Sequence, residues 1–177
     1  MLSVAVKFVA GVLLGCGLVD LALAQAPARP LEQAFASSLT DVPPQALSVT
    51  GAIYVPAYSS VSIVQGKVSA DFSVTLSMHN ASQDKPLVLK RIAYFDTSGK
   101  LVQNYLTKPI ALKPFGAIEI FISQNDVRGG TGANFLVEWG AVGAIAEPVV
   151  EALMVGGIGA GHYAFISQGR PIRMVGN

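Results

Sequence analysis

The groups best able to move a proton or hold a cation are His79 and His162, with the carboxylates Asp96, Glu119, Asp126, Glu138, Glu147 and Glu151. A serine hydrolase needs a base placed against its nucleophile, and the sequence has no G-x-S-x-G elbow to present one. The carboxylates do not recur at the spacing of an oxygen-ligand loop such as D-x-D-x-D-G. Residues 128–134, Arg-Gly-Gly-Thr-Gly-Ala-Asn, offer backbone amides that tight turns can aim at an anion. They lack the Lys-Ser/Thr pair of a phosphate loop, and a strand pattern follows where a helix is required, so they read as a loop shaped for a tight turn. Residues 156–161 read the same way.

Glu138 and Glu151 stand inside strongly apolar segments. Facing inward, either needs a cation, and Arg170 is a partner of the right type, which makes Glu138, Glu151 and Arg170 the candidate buried polar group. Facing outward, they are ordinary solvated residues. Tyr54, Tyr58 and Phe121 are the aromatics able to form an exposed platform, and with Arg128 and Asn134 they form the candidate interaction surface for a protein or glycan. No catalytic, cofactor-binding or metal-ligating set is assigned.

The elements that position these groups follow from hydrophobic period. In residues 71–79, Phe72, Val74, Leu76 and Met78 alternate with Asp71, Ser73, Thr75, Ser77 and His79, the pattern of a strand covered on one side. Residues 87–95 form the next strand, and Asp96-Thr97-Ser98-Gly99-Lys100 has the turn chemistry of a hairpin returning through 101–106. Residues 110–113 are a short strand stopped by Pro114. Ile118, Ile120 and Ile122 then face inward, and Phe135, Val137 and Trp139 do so after the glycine loop. Residues 149–155 suit a strand or a helical stripe, and their short valine-rich run ending at Gly156-Gly157 favours the strand. Residues 163–167 make the last strand. Eight or nine strands with regular turns predict an all-β fold, an immunoglobulin-like sandwich of two antiparallel sheets, with a small closed barrel as the alternative.

The chain has 177 residues, 51% of them hydrophobic and 13% charged, against about 25% charged in an ordinary soluble domain. This excludes disorder as its main state. Twelve Lys plus Arg against 11 Asp plus Glu leave a net charge of +1, far from the basic footprint of a nucleic-acid binder. Lys7, an apolar run over residues 8–19 and Ala22-Leu23-Ala24 stand in the order of a secretory signal, with cleavage expected after Ala24. The run is shorter than the roughly 20 residues of a membrane span. A second export reading competes with this one. Leu13-Leu14-Gly15-Cys16 resembles a lipobox, in which Cys16 would be acylated and hold the chain to a membrane. Cleavage after Ala24 removes the lone cysteine, so the core must hold the domain together without a disulfide. Residues 1–24 thus read as a signal peptide and residues 25–50 as a Pro/Ala-rich tether, with Leu31, Phe35 and Leu39 on one face of a possible short helix. Residues 51–177 are the sandwich domain.

Several stretches together resemble a bacterial family of exported proteins, the domain of unknown function numbered 3124. They are residues 53–59 (Ile-Tyr-Val-Pro-Ala-Tyr-Ser), the strand 73–80, residues 94–102 (Tyr-Phe-Asp-Thr-Ser-Gly-Lys-Leu-Val), and Tyr105-Leu106 with Lys108-Pro109 and Leu112-Lys113-Pro114. The most specific is 129–139 (Gly-Gly-Thr-Gly-Ala-Asn-Phe-Leu-Val-Glu-Trp), followed by Glu147-Pro148 and Glu151-Ala152. The closing strand matches through 165–170, with Gln168 where arginine is expected. The resemblance implies an exported β-rich domain and carries no activity. The expectation is an exported, periplasmic or extracellular, non-enzymatic module that binds an envelope protein or a glycan. It takes no cofactor and no nucleic acid, and meets a membrane only if lipidated at Cys16. The competing class is a hydrolase or metal-assisted enzyme using Asp126, Glu138, Glu151 or His162.

Overall fold

The computed structural model describes residues 30–176. The expected signal peptide, its cleavage site and Cys16 lie outside the described residues. A one-turn helix α1 (Leu31–Ala34) and a 3-10 turn (Ala36–Ser38) lead into β1 (Leu39–Thr40), β2 (Val49–Pro56), β3 (Ser60–Ile63) and β4 (Val68–His79). The chain continues through β5 (Leu87–Phe95), β6 (Leu101–Asn104), β7 (Ile110–Leu112) and β8 (Ala117–Ile122). It closes with β9 (Asn134–Ala141), β10 (Val149–Ile158), β11 (Gly161–Gln168) and β12 (Arg170–Val175).

These strands form two antiparallel sheets. The seven-stranded sheet runs β1-β7-β5-β9-β2-β12, with β6 also on β5, and the five-stranded sheet runs β11-β10-β4-β3, with β8 also on β4. No ladder joins them, so the fold is a β-sandwich and not a closed barrel. Alternation decides what fills the space between. Phe72, Val74, Leu76 and Met78 of β4 and the three isoleucines of β8 meet Phe135, Val137 and Trp139 of β9 and Ile53 and Val55 of β2, all buried. Residues 149–155 do lie in a strand, with Val150, Ala152 and Met154 inward.

Three elements depart from the sequence expectation. The stretch read as a tether is docked from Leu31 onward: Leu31, Phe35 and Leu39 pack against the core, and Leu39 sits opposite Leu112 in a two-residue ladder. The four-residue recurrence found the apolar surface, but only one helical turn forms before the chain becomes extended. β3 is too short to announce itself. β12, absent from the expectation, carries Pro171 and two arginines and is exposed along its whole length, so its sequence has no alternation to read. It takes its place from pairing with β2, after the chain crosses from one sheet to the other at Gly169.

The buried residues Ser59, Asn80 and Ser82 each make side-chain hydrogen bonds, whereas the buried Tyr94 hydroxyl makes none. Asn80, 1% exposed, donates to the carbonyls of Lys85, Leu112 and Lys113 at 2.8, 3.3 and 3.0 Å and accepts from the Ser82 amide at 3.0 Å. This side chain ties the β4–β5 loop to the β7–β8 turn, which fixes β8 beside β4 and so helps to set the outer face described next.

Candidate functional site

The outer face of the five-stranded sheet is built by the residues that alternate with the core. β4 presents Ser73, Thr75, Ser77 and His79, β8 presents Glu119 and Phe121, β10 presents Glu151, Leu153 and Val155, and β11 presents Ala164, Ile166 and Gln168. Register aligns them in rows across the strands. One row is Ile166, Leu153, Thr75 and Phe121, and the next holds Ala164, Val155 and Ser73. Its apolar members are open to solvent: Ile166 is 59% exposed, Phe121 63%, Val155 44% and Leu153 38%. On the other side of the first row, Gln168, Glu151, Ser77 and Glu119 form a polar border. Ile166, Leu153 and Val155 thus form an apolar cluster, with Phe121 beyond Thr75 and a polar border alongside, the arrangement of a docking face.

Within that border the Ser77 hydroxyl and His79 Nε2 lie 2.7 Å apart. The pair is two residues apart on one strand, which is why a search for motifs passes over it. Activating the serine would require a group orienting the imidazole and amides free to hold an oxyanion. Here Glu119 and Glu151 stand opposite Ser77 and not His79, and β4 is paired on both sides through this stretch.

Two clefts lie beside this sheet. A cleft of about 480 Å³ lies where β6, β8 and α1 meet, lined in part by Phe35, Gln103, Asn104, Tyr105, Glu119 and Phe121. Burial pushes the Tyr105 phenol up to about 12, so it remains a proton donor at neutral pH. A groove of about 440 Å³ lies on the inner side of the same sheet, lined by Val61, Ile63, Ala70, Phe72, Tyr163 and Phe165.

The structure does not gather the five sequence-predicted surface residues. Phe121 is on the stripe. Tyr54, 37% exposed, is on the outer face of the other sheet, between Leu136 and Arg170. Tyr58 is half-buried with its ring 6.0 Å from Phe165. Arg128 lies in the glycine loop and Asn134 begins β9, opposite Pro56 and Phe95. Leu153, Val155 and Ile166 carry no signature in the sequence, because an apolar residue in a strand defaults to the core until the uncovered face of its sheet is known.

The expected buried polar group is corrected as well. Glu138 and Glu151 are half-exposed, Arg170 is exposed, and the two glutamates occupy the outer faces of different sheets. Glu138 does hold a cation, but it is Arg173, at 3.0 Å. A register shift between Pro171 and Arg173 places Arg173, in the position Ile172 would otherwise take, opposite Ala52 and thus in one row with Glu138. A pair this exposed contributes only about 0–1 kcal/mol. Among the described residues no three of His, Cys, Asp and Glu stand close enough to share a metal ion.

The glycine loop is explained by close packing. Thr97 Oγ1 donates to the Gly129 carbonyl at 2.9 Å and accepts from the Gly132 amide at 2.9 Å. A Cβ on Gly129 would strike the hydroxyl of Tyr94, and Gly130 has φ +70°. Beside the loop, the Arg128 guanidinium grips Asp126 by two hydrogen bonds of 2.8 and 2.6 Å and holds that carboxyl below the usual carboxylate range. The Ser98 hydroxyl and the Lys100 amide do the same to Asp96. A carboxyl depressed in the folded state stabilises above its unfolded value near 4 and loses that contribution as pH falls through the folded value. The melting temperature is therefore expected to fall on acidification below about pH 4, and Asp126→Asn with Asp96→Asn should flatten that limb while lowering the plateau slightly.

A family model described as a protein of unknown function (DUF3124) matches residues 50–172. The chain belongs to the DUF3124 family. The match runs from β2 into β12, so the stripe, the glycine loop and the sheet crossing all lie within the DUF3124 domain. Comparison with curated proteins gives no match for it. The crystal structure of Thermotoga maritima 1070 is similar at 10% identity and a TM-score of 0.43, over 68% of this chain and 92% of that one.

Proposed function

We propose that this DUF3124 protein is an exported, non-enzymatic interaction module that docks a protein partner on the outer face of its five-stranded sheet. The observation that carries this reading is the cross-strand row Ile166, Leu153, Thr75 and Phe121, whose exposed apolar side chains continue into Val155 and have a polar border. Export is supported by the order of Lys7, the apolar run and Ala22-Leu23-Ala24. The groups a hydrolase would need, Asp126, Glu138, Glu151 and His162, are spread over a loop, two opposed faces and a strand end. The test uses the exported chain as the cell processes it, immobilised as wild type, as Leu153→Asp/Ile166→Asp, and as Tyr54→Ala. Wild type and Tyr54→Ala should retain the same envelope protein, and the double aspartate should retain at least tenfold less at unchanged circular dichroism. Equal retention by all three overturns the reading.

A glycan is the second reading, favoured by the cleft where Phe35, Tyr105 and Phe121 stand beside Gln103, Asn104 and Glu119. Ring faces next to planar amides and a carboxylate suit a sugar's apolar face and hydroxyls. Binding on a glycan array that Phe121→Ala and Gln103→Ala abolish, and Leu153→Asp leaves intact, would select it over the protein partner.

A further inference from the structure

The outermost strand of the five-stranded sheet lacks the devices that keep a sheet edge from pairing. Such edges are usually short, or carry Lys, Pro, inward charges or a bulge. β12, the corresponding edge of the other sheet, is guarded in this way by Arg170, Pro171, Arg173 and a register shift. β3 is guarded by its four-residue length. β11 is eight residues, Gly-His-Tyr-Ala-Phe-Ile-Ser-Gln, with no Lys, Arg, Asp, Glu or Pro, and it pairs without a register shift along β10. It is exposed on both sides: Tyr163 (53%) and Phe165 (36%) rim the apolar groove, and Ile166 (59%) ends the outer stripe. A surface that offers a row of free backbone donors and acceptors with apolar groups above and below is matched by another strand, not by a flat surface.

We propose that β11 pairs antiparallel with β11 of a second copy of this chain, joining the two five-stranded sheets into one of ten strands. The strand's own sequence argues for a copy of itself. With the two-fold axis at Ala164, Tyr163 lies opposite the partner's Phe165 on the groove side and His162 opposite the partner's Ile166 on the outer side. Aromatic faces aromatic, and no like charges meet. The size fits a reversible dimer. Tyr163, Phe165 and Ile166 flank the edge and expose on the order of 300 Å² per copy, so two copies with their edge backbone stay in the range below roughly 1,200 Å² that transient interfaces occupy. The symmetric pairing closes on itself, and β8, the other free edge beside β4, is six residues long and carries Glu119. This inference goes beyond the docking proposal, since it needs the free edge alone and not the Phe121 face.

The experiment is light scattering on the exported chain across a concentration series, with Ala164→Lys, which places two like charges on the two-fold axis, and Ile172→Lys on β12 as the control. Wild type and Ile172→Lys should show twice the monomer mass in the micromolar range, and Ala164→Lys should stay monomeric to at least tenfold higher concentration with unchanged circular dichroism. Ala164→Cys should give a disulfide-linked dimer under mild oxidation, and Ile172→Cys should not, which keeps the test sound if the lysine variant folds poorly. A wild type that stays monomeric at 100-fold above that range, or a dimer unaffected by Ala164→Lys, overturns the pairing. Retention of an envelope protein by a monomeric chain would leave the docking proposal standing while this one fails.

Discussion

Gly169→Val is expected to destabilise the sandwich by roughly 3 kcal/mol or more, read as a fall in the urea midpoint with little change in slope. Gly169 is the residue at which the chain leaves the five-stranded sheet and enters the seven-stranded one. Its amide donates to the Val150 carbonyl at 2.8 Å, and a Cβ built there would lie 2.6 Å from Ile53 Cγ2 and 2.7 Å from that same carbonyl. The methyl of Ile53 can move, but the carbonyl belongs to a paired strand and cannot. Ile53→Ala should therefore recover only part of the loss, and full recovery would mean that the crossing is looser than described. Because β11 and β12 meet at this glycine, the same substitution should weaken both edges at once.

Trp139→Ala should cost about 3–5 kcal/mol, a large share of the 5–15 kcal/mol that holds a domain of this kind together. Trp139 is 2% exposed and stands opposite Gly51 in the β2–β9 ladder, its indole lying over the glycine so closely that a Cβ would come within 2.5 Å of Cε2. The two residues are therefore one packing unit. Gly51→Ala alone should destabilise by roughly 1–3 kcal/mol through overpacking, whereas in the Trp139→Ala background the added methyl enters vacated space and should be neutral or stabilising. A double-mutant cycle by chemical denaturation measures the coupling, and additive effects would contradict the packing described.

Much of the fold is legible from period alone, for a physical reason. Phe72, Val74, Leu76 and Met78 alternate with small polar residues, so only one register buries them, and the isoleucines of β8 behave in the same way. Where local pattern and burial part company, the sequence is silent. β12 mixes two arginines and a proline with Ile172, Met174 and Val175, all exposed, and only its partner β2 makes it a strand. Leu153, Val155 and Ile166 look like core residues and become surface residues because they point to the outer face of their sheet, which no second layer covers, a fact about layering that no window of sequence contains. Phe121 was reachable, since its inward neighbours Ile120 and Ile122 fix its direction. Glu138 shows the middle case. It faces outward and needs no partner, and the cation it does hold, Arg173, rests on a single register shift in a strand that pattern does not reveal.

The proposed partner is a protein seated on the outer face of the five-stranded sheet. Photo-crosslinking in intact cells tests it at single residues. A photoreactive side chain placed at Leu153 or Phe121 should form a defined protein adduct, and the same group at Tyr54, on the opposite face, should form none. Adducts from Tyr54 alone, or adducts of equal yield from all three positions, would contradict the claim.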